Sequence, residues 1–130
     1  MKMVLDTNIF NNKNFCEWLL KSSEDKYLPA FAYLEYLYHN LKKGNTESMV
    51  DTFLEEMNIS IVPFGKDEAL TAALAAIGRW DFKDNARDYS IGATAVRLKG
   101  QLVTYNIKDF KWLENVVTPE EILKKKDNSI

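Results

Sequence analysis

Met3-Val4-Leu5-Asp6-Thr7-Asn8 passes from an unbroken apolar run into three polar residues, with a carboxylate at the turning point. An apolar run of strand length, lacking the in–out alternation of a half-exposed strand, suits a β-strand buried on both faces. Such strands belong to parallel sheets covered by helices, and Asp6 then lies at the carboxyl end, where open α/β sheets bind their ligands.

The rest of the chain repeats that unit. Lys2–Leu5, Lys26-Tyr27-Leu28, Ile59–Val62 (closed by Pro63), Gln101–Tyr105 and Glu114–Val117 read as strands. Between them the pattern predicts helices over Asn11–Ser22, with Phe15, Leu19 and Trp18 inward, and over the segment after Pro29, ending at Lys42-Lys43-Gly44. On that second helix Phe31, Leu34, Tyr38 and Leu41 form the apolar stripe expected to face the core. Further helices are expected over Glu47–Met57, Asp67–Trp80, Tyr89–Lys99 (ending at Gly100) and, after Pro119, Glu120–Lys125. Strands alternating with helices predict one α/β domain over residues 1–130. It is a three-layer α/β/α sandwich on a central, mostly parallel sheet of about five strands, with a flexible tail from residue 126.

Composition narrows the chemistry. The 46% apolar and 28% charged fractions are those of an ordinary globular protein, and a net charge of −2 does not advertise a nucleic-acid binder. A local basic rim and bound cations can still attract phosphate. Cys16 is the only cysteine, so no intramolecular disulfide forms; with no signal peptide or membrane-length apolar run visible, a cytoplasmic location is expected. His39 is the only histidine, which removes Ser-His-Asp, Cys-His and zinc His-cluster chemistry; it reads as a favourable charge near a helix end.

The carboxylates remain. Asp6 follows a strand and reads as a cap or a ligand. Glu35 lies on the apolar stripe of its helix, where a carboxylate is costly unless paired or coordinated. Asp88 continues the Ile91, Ala95 and Leu98 face to the start of its helix, and forms a capping box if Asn85 is the cap. Asn106 and Asp109 repeat the Asn-x-x-Asp spacing directly after a strand, Asp109 being a ligand, a water-mediated ligand or a cap. Asp81 and Asp84 read as solvated loop charges, and Tyr33, Tyr36, Tyr38 and the three tryptophans as packing. Several carboxylates at one sheet edge, without His or Cys, form an oxygen-donor site suited to Mg²⁺ or Mn²⁺. Their mutual repulsion predicts at least one raised pKa, and a fold that tolerates Asp6→Asn when metal is absent.

Four motifs carry a resemblance over nearly the whole chain: Leu5-Asp6-Thr7-Asn8, Glu35 within Pro29–Leu37, Asn85-Ala86-Arg87-Asp88-Tyr89 running on to Ala95, and Thr104-Tyr105-Asn106-Ile107-Lys108-Asp109-Phe110. In this order the chain resembles a PIN domain of the single-domain type found as the toxin of VapBC toxin–antitoxin pairs. The resemblance implies a Mg²⁺- or Mn²⁺-dependent endoribonuclease acting on RNA, a homodimer and a small antitoxin partner. It implies Asp6, Glu35 and Asp88 as the main acidic positions and Thr104 and Asn106 as the polar pair after the fourth strand; a second metal position is expected near Asp6 and either Asn106 or Asp109, with Thr7, Asn8 and Thr104 orienting the ligands. Asn106 stands where many members place a fourth Asp, and Tyr105 where members often carry Arg. Lys13, Arg79, Lys83, Arg87 and Lys108 are candidates for a phosphate-contacting rim. The alternatives are an RNA-processing or DNA nuclease of the same fold, or a catalytically silent interaction module.

Overall fold

Five strands form a single sheet in the computed structural model, which describes residues 1–127. They are β1 (Lys2–Leu5), β2 (Asp25–Pro29), β3 (Ile59–Val62), β4 (Gln101–Val103) and β5 (Val116–Val117). Their order across the sheet is β3-β2-β1-β4-β5, and every neighbouring pair is parallel. The helices are α1 (Lys13–Lys21), α2 (Ala30–Lys42), α3 (Glu47–Glu56), α4 (Lys66–Ala76), α5 (Phe82–Leu98) and α6 (Pro119–Asp127). The chain steps outward from β1 through β2 to β3, then crosses back to β4 on the other side of β1. Right-handed crossovers place the helices of these two legs on opposite faces, which makes the three layers. The direction reverses between β1 and β4, so the crevice for a ligand opens beyond their carboxyl ends.

Burial explains why the strands are so apolar. Met3, Val4, Leu5, Leu28, Leu102 and Val103 are all at most 1% exposed, packed between Phe15 and Leu19 of α1 and Ile91 of α5. Each such side chain contributes about 1.5–3 kcal/mol relative to an exposed one. Asn12 starts α1 by accepting the Phe15 N–H at 2.9 Å. Lys26 closes the other end: buried within β2, its Nζ donates to the carbonyls of Leu19, Ser22 and Met57 at 2.5, 2.9 and 2.9 Å. Those carbonyls satisfy an ammonium that burial destabilises, and its pKa is pushed down accordingly. Gly100, expected as a helix terminator, serves a different end. Lys99 adopts the left-handed cap (φ 55°), whereas a Cβ on Gly100 would stand 2.9 Å from Val4 Cγ2.

Several expectations are corrected. The Phe31, Leu34, Tyr38 and Leu41 stripe of α2 faces outward, at 37%, 60%, 55% and 51% exposure. The inner face is Ala32 with Tyr33, Tyr36 and Leu37, which pack on the core. α2 is apolar on both faces, so its periodicity does not single out one side. α4 stops at Ala76, and Trp80 is fully exposed rather than packed. α5 starts at Phe82, seven residues earlier than expected, with a non-helical Asn85 inside it. A Cβ on Gly92 of α5 would run into the Trp112 ring, so the helix carries a glycine where that indole packs. The helix expected at Glu120–Lys125 runs from Pro119 to Asp127; of the tail expected from residue 126, positions 128–130 lie outside the described residues. Among the described residues no helix is long and apolar enough to cross a membrane.

Candidate metal centre

The carboxyl ends of β1 and β4 lie side by side, with Leu5 in register with Val103. The Asp6 N–H continues the ladder to the Val103 carbonyl at 3.0 Å, which holds Asp6 and Thr104 next to each other at the point where the topology reverses. Both are fully buried. The Thr104 hydroxyl donates to Asp6 Oδ2 at 2.8 Å and accepts from Asn8 Nδ2 (3.3 Å) and the Asn106 N–H (3.0 Å). Asp6 is therefore also the cap it was expected to be: its Oδ1 accepts the Thr7 N–H at 2.8 Å and opens the 3-10 turn Thr7–Asn11.

Glu35 reaches the same place from α2 and Asp88 from α5. Their common partner is Arg87. Its Nη2 donates to Asp6 Oδ1 (2.6 Å) and Glu35 Oε1 (2.7 Å), its Nε to Glu35 Oε2 (2.5 Å) and its Nη1 to Asp88 Oδ1 (2.6 Å). One planar fork thus gathers three carboxylates from three separate elements. Thr7 Oγ1 adds a bond to Glu35 Oε1 at 3.0 Å.

The titration behaviour follows from this geometry. Burial would raise the Glu35 carboxyl, but hydrogen bonds from Arg87 and Thr7, with the charges of Arg87 and His39, bring it below its ordinary value. Asp88 goes the other way. Burial raises it, the charges of Asp109 and Asp6 add to the rise, and Arg87 offsets only part. The raised carboxyl expected from mutual repulsion is thus Asp88, with desolvation as the larger cause. Arg87 is held more firmly charged than usual: burial opposes the charge, and Glu35 and Asp6 outweigh it.

The remaining site residues are arranged around this cluster. Asn106 precedes the 3-10 turn Ile107–Phe110, and its amide donates to Asp109 Oδ2 at 2.5 Å. Asn8 accepts the Tyr105 N–H at 3.2 Å, and the Tyr105 hydroxyl donates to Glu120 at 2.6 Å, joining the site to α6. The Asn85–Asp88 pair is engaged differently from the expected capping box. The Asn85 amide donates to Asp81 Oδ2 at 3.0 Å, while Asp88 takes the Arg87 fork. Asp81 is not merely a solvated charge, because it also accepts the buried Tyr89 hydroxyl at 2.6 Å. Of the five expected rim cations, Arg87 stands at the centre of the carboxylates rather than on the rim. Sequence reasoning missed that role because Arg87 is 81 residues from Asp6 and 52 from Glu35. The available signal was a cation directly beside Asp88 on a helix start that carries two other acids.

The donor set is all hard oxygen, the chemistry that Mg²⁺ and Mn²⁺ accept. The carboxylates already converge on a positive charge, which is what a metal ion requires of them. Their spacing is set by the guanidinium, and among the described residues no group of three His, Cys, Asp or Glu side chains is arranged to hold a metal ion.

Comparisons place the chain among known proteins. The sequence profile of the PIN domain matches residues 3–115. Solved structures share the fold. A toxin–antitoxin complex from Klebsiella pneumoniae superposes with a TM-score of 0.71 at 24% identity, covering 90% of this chain and 97% of the other. FitAcB from Neisseria gonorrhoeae gives 0.67 at 24%, covering 90% and 97%. VapBC2 from Rickettsia felis, bound to a promoter DNA fragment, gives 0.65 at 24%, covering 91% and 97%. A comparison with curated protein sequences finds no match.

Proposed function

The chain belongs to the PIN domain family, and from that premise we propose that it is a metal-dependent endoribonuclease, the toxin of a toxin–antitoxin pair. PIN domains are in general nucleases that use divalent ions. The observation that carries the reading is the convergence of Asp6, Glu35 and Asp88 on one cation at the switch point of the sheet.

Asp6, Glu35 and Asp88 are the residues that would hold Mg²⁺ or Mn²⁺, with Asp109 the next carboxylate in reach of Asp88's field. When bound, the ion polarises a scissile phosphate and lowers the pKa of a coordinated water. The chain's own polar groups orient this centre. Thr104 fixes one oxygen of Asp6, Thr7 fixes Glu35, and Asn8 ties Thr104 to the Tyr105 backbone. Asn106 holds Asp109 by its amide, so Asp109 supplies the charge that Asn106 lacks.

Partners follow from the surface. Phe31, Leu34, Tyr38 and Leu41 on α2, and Leu70, Leu74 and Ile77 at i, i+4, i+7 spacing on or just beyond α4, expose apolar faces. They suit a second copy of the chain and a small antitoxin, and the Klebsiella pneumoniae neighbour is a toxin–antitoxin complex.

One observation favours a second reading. Arg87 already occupies the space between the carboxylates, as it would in a catalytically silent interaction module. Incubation of purified protein with single-stranded RNA separates the two. Mn²⁺- or Mg²⁺-dependent cutting that EDTA abolishes and Asp88→Asn removes supports the nuclease. Full-length RNA under all metal conditions supports the silent module.

A further inference from the structure

Resting on the nuclease reading above, we propose that the Arg87 guanidinium and the divalent ion occupy the acidic pocket alternately, so that Arg87 is a built-in plug the metal must displace. Four carboxylate oxygens are engaged by this one side chain: Asp6 Oδ1, both oxygens of Glu35, and Asp88 Oδ1. The other oxygen of Asp6 is taken by Thr104. A hard cation needs those same lone pairs at about 2.1 Å. It competes for them with the guanidinium, because two positive centres would otherwise lie within a few ångströms beside the buried carboxylates of Asp6 and Asp88.

The plug is tethered in a way that makes it effective. Arg87 immediately precedes Asp88 on α5, so it is an intramolecular competitor at high effective concentration. Its side chain is 33% exposed while those of Asp6 and Asp88 are 1% and 10% exposed, so it enters the pocket from the solvent side. A long aliphatic stem lets the head swing outward without disturbing the helix. Three carboxylates against one guanidinium leave the pocket negative, which draws in a divalent ion once its concentration suffices. Arg87 then stands at the mouth of a loaded site, with a fork matched to a phosphodiester oxygen pair. The fold thereby holds the carboxylates together when metal is scarce and keeps the site silent until metal arrives.

The test uses the whole protein. Mg²⁺ is titrated into ¹⁵N-labelled chain while the arginine Nε–H resonances are followed, and Mn²⁺ binding to wild type, Arg87→Gln and Arg87→Lys is measured by calorimetry. Release of the plug predicts loss of the Arg87 Nε–H signal as Mg²⁺ saturates. It also predicts about tenfold or more tighter Mn²⁺ binding by Arg87→Gln, since the ion no longer breaks a charge-assisted network, with Arg87→Lys in between. An unchanged Nε–H signal, or equal Mn²⁺ affinity in all three proteins, overturns the plug and leaves the nuclease reading standing. Absence of Mn²⁺ binding by every form at millimolar metal overturns the metal-site reading and the plug with it. If Arg87→Gln fails to fold, the wild-type titration decides alone.

Discussion

Asp6→Asn in metal-free protein tests the Arg87 lattice through stability, and the direction of the effect is diagnostic. Repulsion among bare carboxylates predicts that neutralising Asp6 is harmless or stabilising. The structure reverses that expectation. Thr104 Oγ1 already accepts from Asn8 Nδ2 and the Asn106 N–H while donating to Asp6 Oδ2, so its two lone pairs and its proton are committed. An amide nitrogen at the Oδ2 position brings a third donor to that hydroxyl. Turning the amide over brings the NH₂ against the Thr7 N–H and Arg87 Nη2, two donors at 2.8 and 2.6 Å from the present oxygen. The first orientation loses one hydrogen bond and the second loses two, and both lose the charge facing Arg87. A charged hydrogen bond is worth about 1.5–3 kcal/mol and an unsatisfied buried donor about 1–3 kcal/mol, so after relaxation the loss is about 2–4 kcal/mol. For a domain of this size that lowers Tm by roughly 7–14 °C. Thermal unfolding followed by circular dichroism in EDTA at pH 7 measures it. A variant melting at or above wild type would refute the reasoning, because repulsion would then outweigh the lattice.

Other consequences are independent of that lattice or probe it differently. Because the folded Glu35 carboxyl titrates below its ordinary 4.5, its stabilising contribution is complete above that value and is lost as pH falls through the folded one. Glu35→Gln should lack that component of acid destabilisation, seen as a flatter stability profile below pH 5 in urea titrations. Lys26→Met removes the donor to three carbonyls but also the buried charge, for a net loss of about 1–3 kcal/mol by denaturant unfolding. Gly92→Ala sets a methyl 2.6 Å from Trp112 Cη2. Displacing the indole should cost about 1–2 kcal/mol after the gain in helix propensity, with an altered tryptophan emission spectrum.

The sheet was legible because its strands are short, apolar and punctuated, and a parallel order follows from the intervening helices. The position of Asp6 was legible for the same reason: a strand's end needs no tertiary information. Glu35 was reached by a flawed route. It was assigned to the core stripe of α2, yet Phe31, Leu34, Tyr38 and Leu41 are exposed, and Glu35 reaches the pocket from the half-buried flank of the helix. A helix apolar on two faces defeats periodicity, since burial against the core and burial against a partner use the same residue types. Arg87 was not legible as the centre of the site, because a salt-bridge network joins residues that only the assembled fold brings together.

Anomalous diffraction from a crystal of this protein soaked in Mn²⁺ tests the central claim most directly. The account predicts one strong peak bounded by carboxylate oxygens of Asp6, Glu35 and Asp88, absent in a crystal of Asp88→Asn. A soaked crystal with full Mn²⁺ occupancy elsewhere and none among these three carboxylates would contradict it.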